Sequence, residues 1–227
     1  MLDAIVQAIA ERRLAPGIKL AEEQLAEIFG LNRARIRKVL LVLSQRRIVQ
    51  LSPNRGATVA RPTAKETREV FQARRLIEAE LVRLVAALPG PQREAAIASL
   101  RTHLAAEHQA IEIGDRNAEV RLSGLFHLRL AQAAGNSIFS SILRDLIAQS
   151  SLAVSAHATG HQLDCSLREH DSIVDALAAS DTAGALSLSL AHLIHIEAAL
   201  ALNKQEGTDL VAIFSTIRPA VRKRVEI

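Results

Sequence analysis

From residue 63 to residue 203 the apolar side chains recur at helical spacing, and no segment alternates convincingly enough to be a half-buried strand. That restricts this stretch to helices packed on helices. Thr63 is placed to cap a helix from Ala64 to about Leu88, which LPGP breaks. Amphipathic helices are then expected at roughly 90–113, 115–133, 137–157, 166–179 and 182–203, separated at GD, GN, ATGHQ and SD. Asn136, in AAGN, reads as a cap between two of them. About six antiparallel helices with short connections make an α-bundle, whose interior commonly houses a ligand or metal.

Residues 1–62 are built differently. Helix signals run from about Leu2 to Arg13, over AEEQLAEIF up to Gly30, and from an N-cap at Asn32 to about Gln45. The runs IVQL and ATVA then flank PNRG, which is a hairpin signal. Three helices followed by a hairpin make a winged helix-turn-helix. The expected fold is therefore mainly α: a winged helix-turn-helix over 1–62, an all-α antiparallel bundle over 63–203, and a basic tail over 204–227.

Charge separates these parts. Residues 1–62 hold 11 Lys/Arg against 5 Asp/Glu, residues 63–217 hold 13 against 18, and the last ten hold 4 against 1. A basic head on an acidic remainder suggests that the two meet different partners. With no Trp and no Tyr, the chain has few platforms for stacking single-stranded bases, whereas duplex DNA stays open. No apolar run approaches the roughly 20 residues of a membrane span, and the first residues lack the order of a signal peptide. Cys165 is the single cysteine, so no intrachain disulfide forms, which suits a reducing cytoplasm.

The stretch LNRARIRKVL places Arg33, Arg35, Arg37 and Lys38 on the third helix without an acid among them. On a helical wheel Ile36, Val39, Leu40 and Leu43 share one sector and face the core, with Arg33 and Arg37 at its border. Asn32 and Arg33 stand at the helix N-terminus, where free backbone N–H groups favour a phosphate. The arginine fork suits guanine O6 and N7 in the major groove. Charge alone leaves a solvated face as the competing reading.

The order of features adds to this. LAPGIKLAEEQLAEIFGLNRARIRKVLLVLSQRRIVQLSPNRGATVARPT resembles the DNA-binding domain of GntR-type transcriptional regulators, in its PG, its LA pair, its R-x-x-x-R helix and its wing NRGA-x-VA. The resemblance implies that Arg33 and Arg37 contact the groove and that Arg55 and Gly56 approach the minor groove at the wing tip. It also implies a homodimer on a pseudo-palindromic operator. This sequence departs from the family pattern at Asn32, Ala34, Arg35 and Lys38, which bears on the operator read.

All eight histidines lie beyond residue 100. His127, His170 and His192 fall on three separate amphipathic helices, so they converge only if each points inward; gathered neutral imidazoles would suit Zn²⁺, Ni²⁺ or a related ion. A hydrogen-bonded core histidine is the competing reading for each, and His192 with His195 forms a weaker alternative pair. VFQARRLIEAELVRLVAAL, GDRNAEVRLSGLFHLRLAQAAGN, EHDSIVDALAASD and AHLIHIEAAL are similar, in order, to the helical ligand-binding FCD domain of the FadR-like branch. That resemblance implies that His127, His170 and His192 hold a divalent metal. Ser123 stands where the family has a fourth, anionic ligand, which lowers the expected affinity unless water fills the position. By the same resemblance Arg74 turns into the pocket and binds an effector carboxylate bidentately; a surface ion pair is its alternative.

The function expected is a DNA-binding regulator, a repressor by family habit, whose bundle senses a small carboxylate. A metal-dependent hydrolase using the three histidines is the alternative, with Glu169 and Glu197 as the nearby acids. No Ser-His-Asp order, P-loop or dinucleotide glycine pattern supports an enzyme, and none is expected. An architectural DNA binder would leave the polar residues of the bundle unexplained.

Overall fold

The computed structural model describes residues 1–53, 56–157, 166–200 and 202. Arg55, Cys165, the ATGHQ break and the tail from Lys204 lie outside these residues, so the expectations placed on them have no structural counterpart here. Among the described residues the chain is mainly helical, with a small sheet near its N-terminus.

The head comprises α1 (Leu2–Ala10), β1 (Lys19–Leu20), α2 (Glu22–Phe29), α3 (Arg33–Gln45), β2 (Val49–Ser52) and β3 (Gly56–Val59). Helix α1 stops three residues before the expected Arg13. Arg12 takes a left-handed backbone (φ 55), and its N–H and that of Arg13 return to the carbonyls of Ile9 and Ala8. This double closure is a Schellman ending, with an arginine where glycine is usual. α2 ends as expected at Gly30, whose φ of 60 favours glycine. Asn32 caps α3 by accepting the Arg35 N–H at 2.9 Å.

The hairpin forms as β2 and β3, with Val49 opposite Val59 and Ser52 opposite Gly56. β3 sits in the middle of the sheet, because β1 pairs antiparallel on its other edge through Lys19 and Leu20. No sequence reading anticipated β1, whose two residues are too few to carry a period. Within α3, Ile36, Leu40 and Leu43 are fully buried, whereas Val39 is half-buried at the edge of the core.

The bundle comprises α4 (Ala64–Ala86), α5 (Gly90–Glu112), α6 (Arg116–Ala133), α7 (Ser137–His157), α8 (Ser166–Ala178) and α9 (Thr182–Ala198). α9 ends five residues short of the expected 203, at a cap on Ala199. Thr63 and Glu66 form a reciprocal capping box at the start of α4. Asn136 caps α7 by accepting the Phe139 N–H at 3.0 Å. Leu81, Val82, Leu100, Phe126, Leu143, Ile173 and Leu177 fill the bundle core.

Helix α7 serves both parts. Leu143 and Ile147 face the bundle core, while Ala148 and Leu152 belong to the core of the head, beside Ile5 and Ile9 of α1. Polar contacts reinforce the seam: Arg46 Nη1 donates to Asp145 at 3.3 Å, and the Gln149 amide donates to the Arg46 carbonyl at 3.1 Å.

Candidate functional site

The basic helix presents its cations outward. Arg33, Arg35, Arg37 and Lys38 are exposed, as is Asn32. Two of them are tied to acids of α2: Arg37 Nε donates to Glu22 at 2.8 Å, and Arg33 Nη1 lies 3.2 Å from Glu23. No ion pair is seen for Arg35 or Lys38 among the described residues. The Asn32 side chain is occupied by its cap on the Arg35 N–H. Gly56 opens β3 with φ 80, a backbone that suits glycine at the turn of the wing.

The three histidines of separate helices do meet. His127 on α6, His170 on α8 and His192 on α9 are all buried, and one ligand atom from each lies within 4.8 Å of the other two. Nε2 of His192 is 3.2 Å from that of His170 and 3.4 Å from that of His127. Each ring is oriented by a carboxylate on its far side. His127 Nδ1–H donates to Glu78 at 2.6 Å, His170 Nδ1–H to Glu107 at 3.1 Å, and His192 Nδ1–H to Glu169 at 2.7 Å. With the protons held on Nδ1, three Nε2 lone pairs converge on one another, an arrangement that repels itself unless a cation stands between them. Two nitrogens bound tetrahedrally to zinc at roughly 2.05 Å would lie about 3.3 Å apart, which matches the two spacings from His192. Carboxylate behind imidazole is also the usual support of a metal-bound histidine.

The electrostatics agree. Burial pulls the His127 and His192 imidazoles down to about 4, only partly offset by Glu78 and Glu169, so both rings are neutral at pH 7. Burial lowers His170 as well, with Glu107 opposing it. Burial works to raise the Glu78 carboxyl, yet Arg74 and His127 hold it well below the usual range. Burial likewise opposes ionisation of Glu107, while hydrogen bonds from His103 and His170 bring it to about 2. The bond from His192 brings Glu169 to about 2 despite partial burial.

Ser123 lies one turn before His127, and its hydroxyl is 3.2 Å from that of Ser166. His195 lies outside the cluster: it is largely exposed, and its Nδ1 sits 2.5 Å from the second oxygen of Glu169. Both oxygens of Glu169 are thus engaged by histidines. Glu197 pairs with Arg75.

Arg74 is buried, which removes the surface-pair reading. Its Nε donates to Glu78 at 2.7 Å and its Nη1 to Ser150 at 3.1 Å, while Nη2 is buried with no hydrogen-bond partner. Arg74, Ser123, His127, Ser150 and Ser166 line a cavity of about 430 Å³, a size suited to a small organic ligand.

Sequence reasoning found the histidines and named Glu169 only as a nearby acid of the hydrolase alternative; that Glu78, Glu107 and Glu169 orient the three rings was not read. Glu78 was legible as the end of R-x-x-I-E, four residues after Arg74 and hence on the same helix face. Glu107 stands four residues after His103 on α5, but nothing in the sequence joins it to His170, 63 residues later.

A winged helix-turn-helix head on an all-α bundle with a polar interior defines a DNA-binding transcription regulator. Residues 2–59 match the gntR family of bacterial regulatory proteins, and residues 69–195 match the FCD domain. The chain belongs to the GntR family and carries an FCD domain as its helical part. It is 27% identical over 182 residues, 79% of this chain and 80% of the relative, to the uncharacterized HTH-type transcriptional regulator YdhC of Bacillus subtilis. Among solved structures it is similar to E. coli McbR/YncC, with 21% identity, a TM-score of 0.76, and 91% of this chain and 96% of that one covered. A candidate GntR regulator from Rhodococcus sp. RHA1 gives 22% identity and a TM-score of 0.74, over 87% and 93% of the two chains. Among the described residues no helix is long and apolar enough to cross a membrane.

Proposed function

We propose that this regulator is a dimeric repressor whose bundle senses a small organic carboxylate at a divalent metal. The observation that carries the reading is a buried cluster of three converging imidazoles, one of which, His127, lines the same cavity as a buried guanidinium that has one donor left unsatisfied. His127, His170 and His192 would hold the metal, and Arg74 would orient the effector carboxylate through Nη2. A divalent ion there supplies a Lewis acid whose open positions accept a carboxylate oxygen. Ser123 weakens the site relative to one with an anionic fourth ligand. On the head, Arg33 and Arg37 read the major groove, with Asn32 and Arg35 toward the phosphates and Arg55 and Gly56 at the wing tip. Effector changes DNA affinity only to the extent that it binds the two head arrangements unequally.

Fluorescence anisotropy with a duplex from the region upstream of the protein's own coding sequence tests the DNA half of this reading. Arg33→Ala with Arg37→Ala should weaken binding to this duplex and narrow its preference over a scrambled duplex by about 1–3 kcal/mol for each lost base contact. Unchanged, salt-insensitive binding by the double variant would remove it. For the sensing half, zinc titration should saturate at one ion per chain in the wild type. His192→Ala should bind at least tenfold more weakly, and equal affinity would refute the ligand set.

A further inference from the structure

The wall of the cavity is not made by the bundle alone. Glu11 and Arg12, from the end of α1 in the DNA-binding head, line the same space as Arg74 and His127. Arg12 reaches it from the left-handed position that closes α1, and its Nε is buried without a hydrogen-bond partner. Its surroundings are unfavourable to a cation: burial and then the charge of Arg116 pull its pKa down, and Glu119 offsets them only in part. Arg116 is engaged by Glu119, its Nη1 lying 2.7 and 2.8 Å from the two carboxylate oxygens. The cavity thus has cationic groups in two places, Arg74 beside the histidines and Arg12 beside the start of α6. From Arg116 to His127 the helix rises roughly 16 Å along its axis, which side-chain reach shortens.

We propose that Arg12 forms a second anion-binding end of this cavity, so that the effector is an elongated dianion whose far acid group is held by the DNA-binding head. The inference rests on the cavity being the effector site. A second carboxylate would satisfy the free Nε and relieve the repulsion between Arg12 and Arg116. It would also place one end of the ligand on the head and the other on the bundle. Moving the head then changes the contacts of the ligand directly, which is the unequal affinity that coupling requires.

The test uses full-length protein with adipate, suberate and hexanoate at matched ionic strength, titrated calorimetrically. Wild type should bind at least one diacid tenfold or more tightly than hexanoate. Arg12→Gln should lose that preference and keep the hexanoate affinity. Arg12→Gly, which retains the left-handed turn without a Cβ, should do the same, so that the result does not hinge on one variant folding. Only in the wild type should the diacid shift the DNA dissociation constant. Equal affinity for diacid and monoacid, or a preference that survives both Arg12 variants, overturns the inference and leaves the effector site standing. Failure of all three acids to bind wild type, or binding unaffected by Arg74→Gln, removes the effector reading and this inference with it.

Discussion

Glu78 decides where the proton of His127 sits. Its carboxylate accepts from Arg74 Nε at 2.7 Å and from His127 Nδ1 at 2.6 Å. In Glu78→Gln only one acceptor oxygen remains beside an NH₂ group. Arginine has no acceptor, so the amide oxygen must face Arg74 and the NH₂ must face His127. Nδ1 then becomes the acceptor, and the imidazole proton moves to Nε2, aimed at His192 Nε2 only 3.4 Å away. A ligand lone pair is lost without touching a ligand. Loss of such a supporting partner lowers metal affinity by about 10–100-fold. Stability also falls, because Arg74 is left as a buried cation without its counter-charge. Breaking a buried pair costs about 3–5 kcal/mol, and the retained hydrogen bond to Arg74 puts the loss near the lower end. At roughly 2–4 °C per kcal/mol for a chain of this size, the melting temperature should drop by about 6–12 °C. Imidazole ¹⁵N NMR of metal-free protein reads the tautomer, zinc titration the affinity, and a thermal scan the stability. A proton still on Nδ1 of His127, or zinc affinity within about twofold of wild type, would show this reasoning to be wrong.

Other outcomes follow from the same contacts. Ser123→Asp, one turn before His127, should raise zinc affinity at least tenfold in calorimetry while losing about 1 kcal/mol with the Ser166 hydrogen bond; unchanged affinity would mean that position 123 does not face the ion. Gly30→Ala should cost about 1 kcal/mol in urea unfolding, since nothing lies within 4 Å of the added methyl and the penalty is one of backbone conformation alone. Thr63→Ala should cost about 1 kcal/mol through the lost cap. It should also flatten the acid limb of the stability profile. The Thr63 backbone N–H and hydroxyl hold the Glu66 carboxyl below its ordinary 4.5, so its contribution is full above that value and is lost as pH falls through the lowered one. An unaltered acid limb would contradict this.

What could be read from the sequence was whatever a local period or cap encodes. The six bundle helices and the three head helices declared themselves through spacing and through Thr63, Asn32, Gly30 and Asn136. The wing was legible from β-branched runs about PNRG. β1 was not, because it exists only by pairing with β3. The inward turn of His127, His170 and His192 came from resemblance, since one histidine on an apolar face looks the same as a ligand or as a core residue. Glu107 and Glu169 as supports of His170 and His192 depend on how three helices, α5, α8 and α9, cross, which no short window contains. Arg12 was hidden for another reason: it sits in a stretch that reads as helix, and only the Schellman ending turns it into the cavity of the other part of the chain.

The sharing of α7 between two cores limits how freely such proteins can exchange parts. A head cut away at the seam would expose Ile5, Val6 and Ile9, which α7 now covers with Ala148 and Leu152. A head grafted from another regulator would have to match those two small and medium side chains, and to offer a carbonyl to Gln149 and a cation to Asp145. Recombination at residue 62 therefore carries a hidden requirement some eighty to ninety residues downstream. If α3 reads the operator as proposed, new operator preferences in such a lineage would arise more readily by substitutions on its exposed face than by replacement of the whole head.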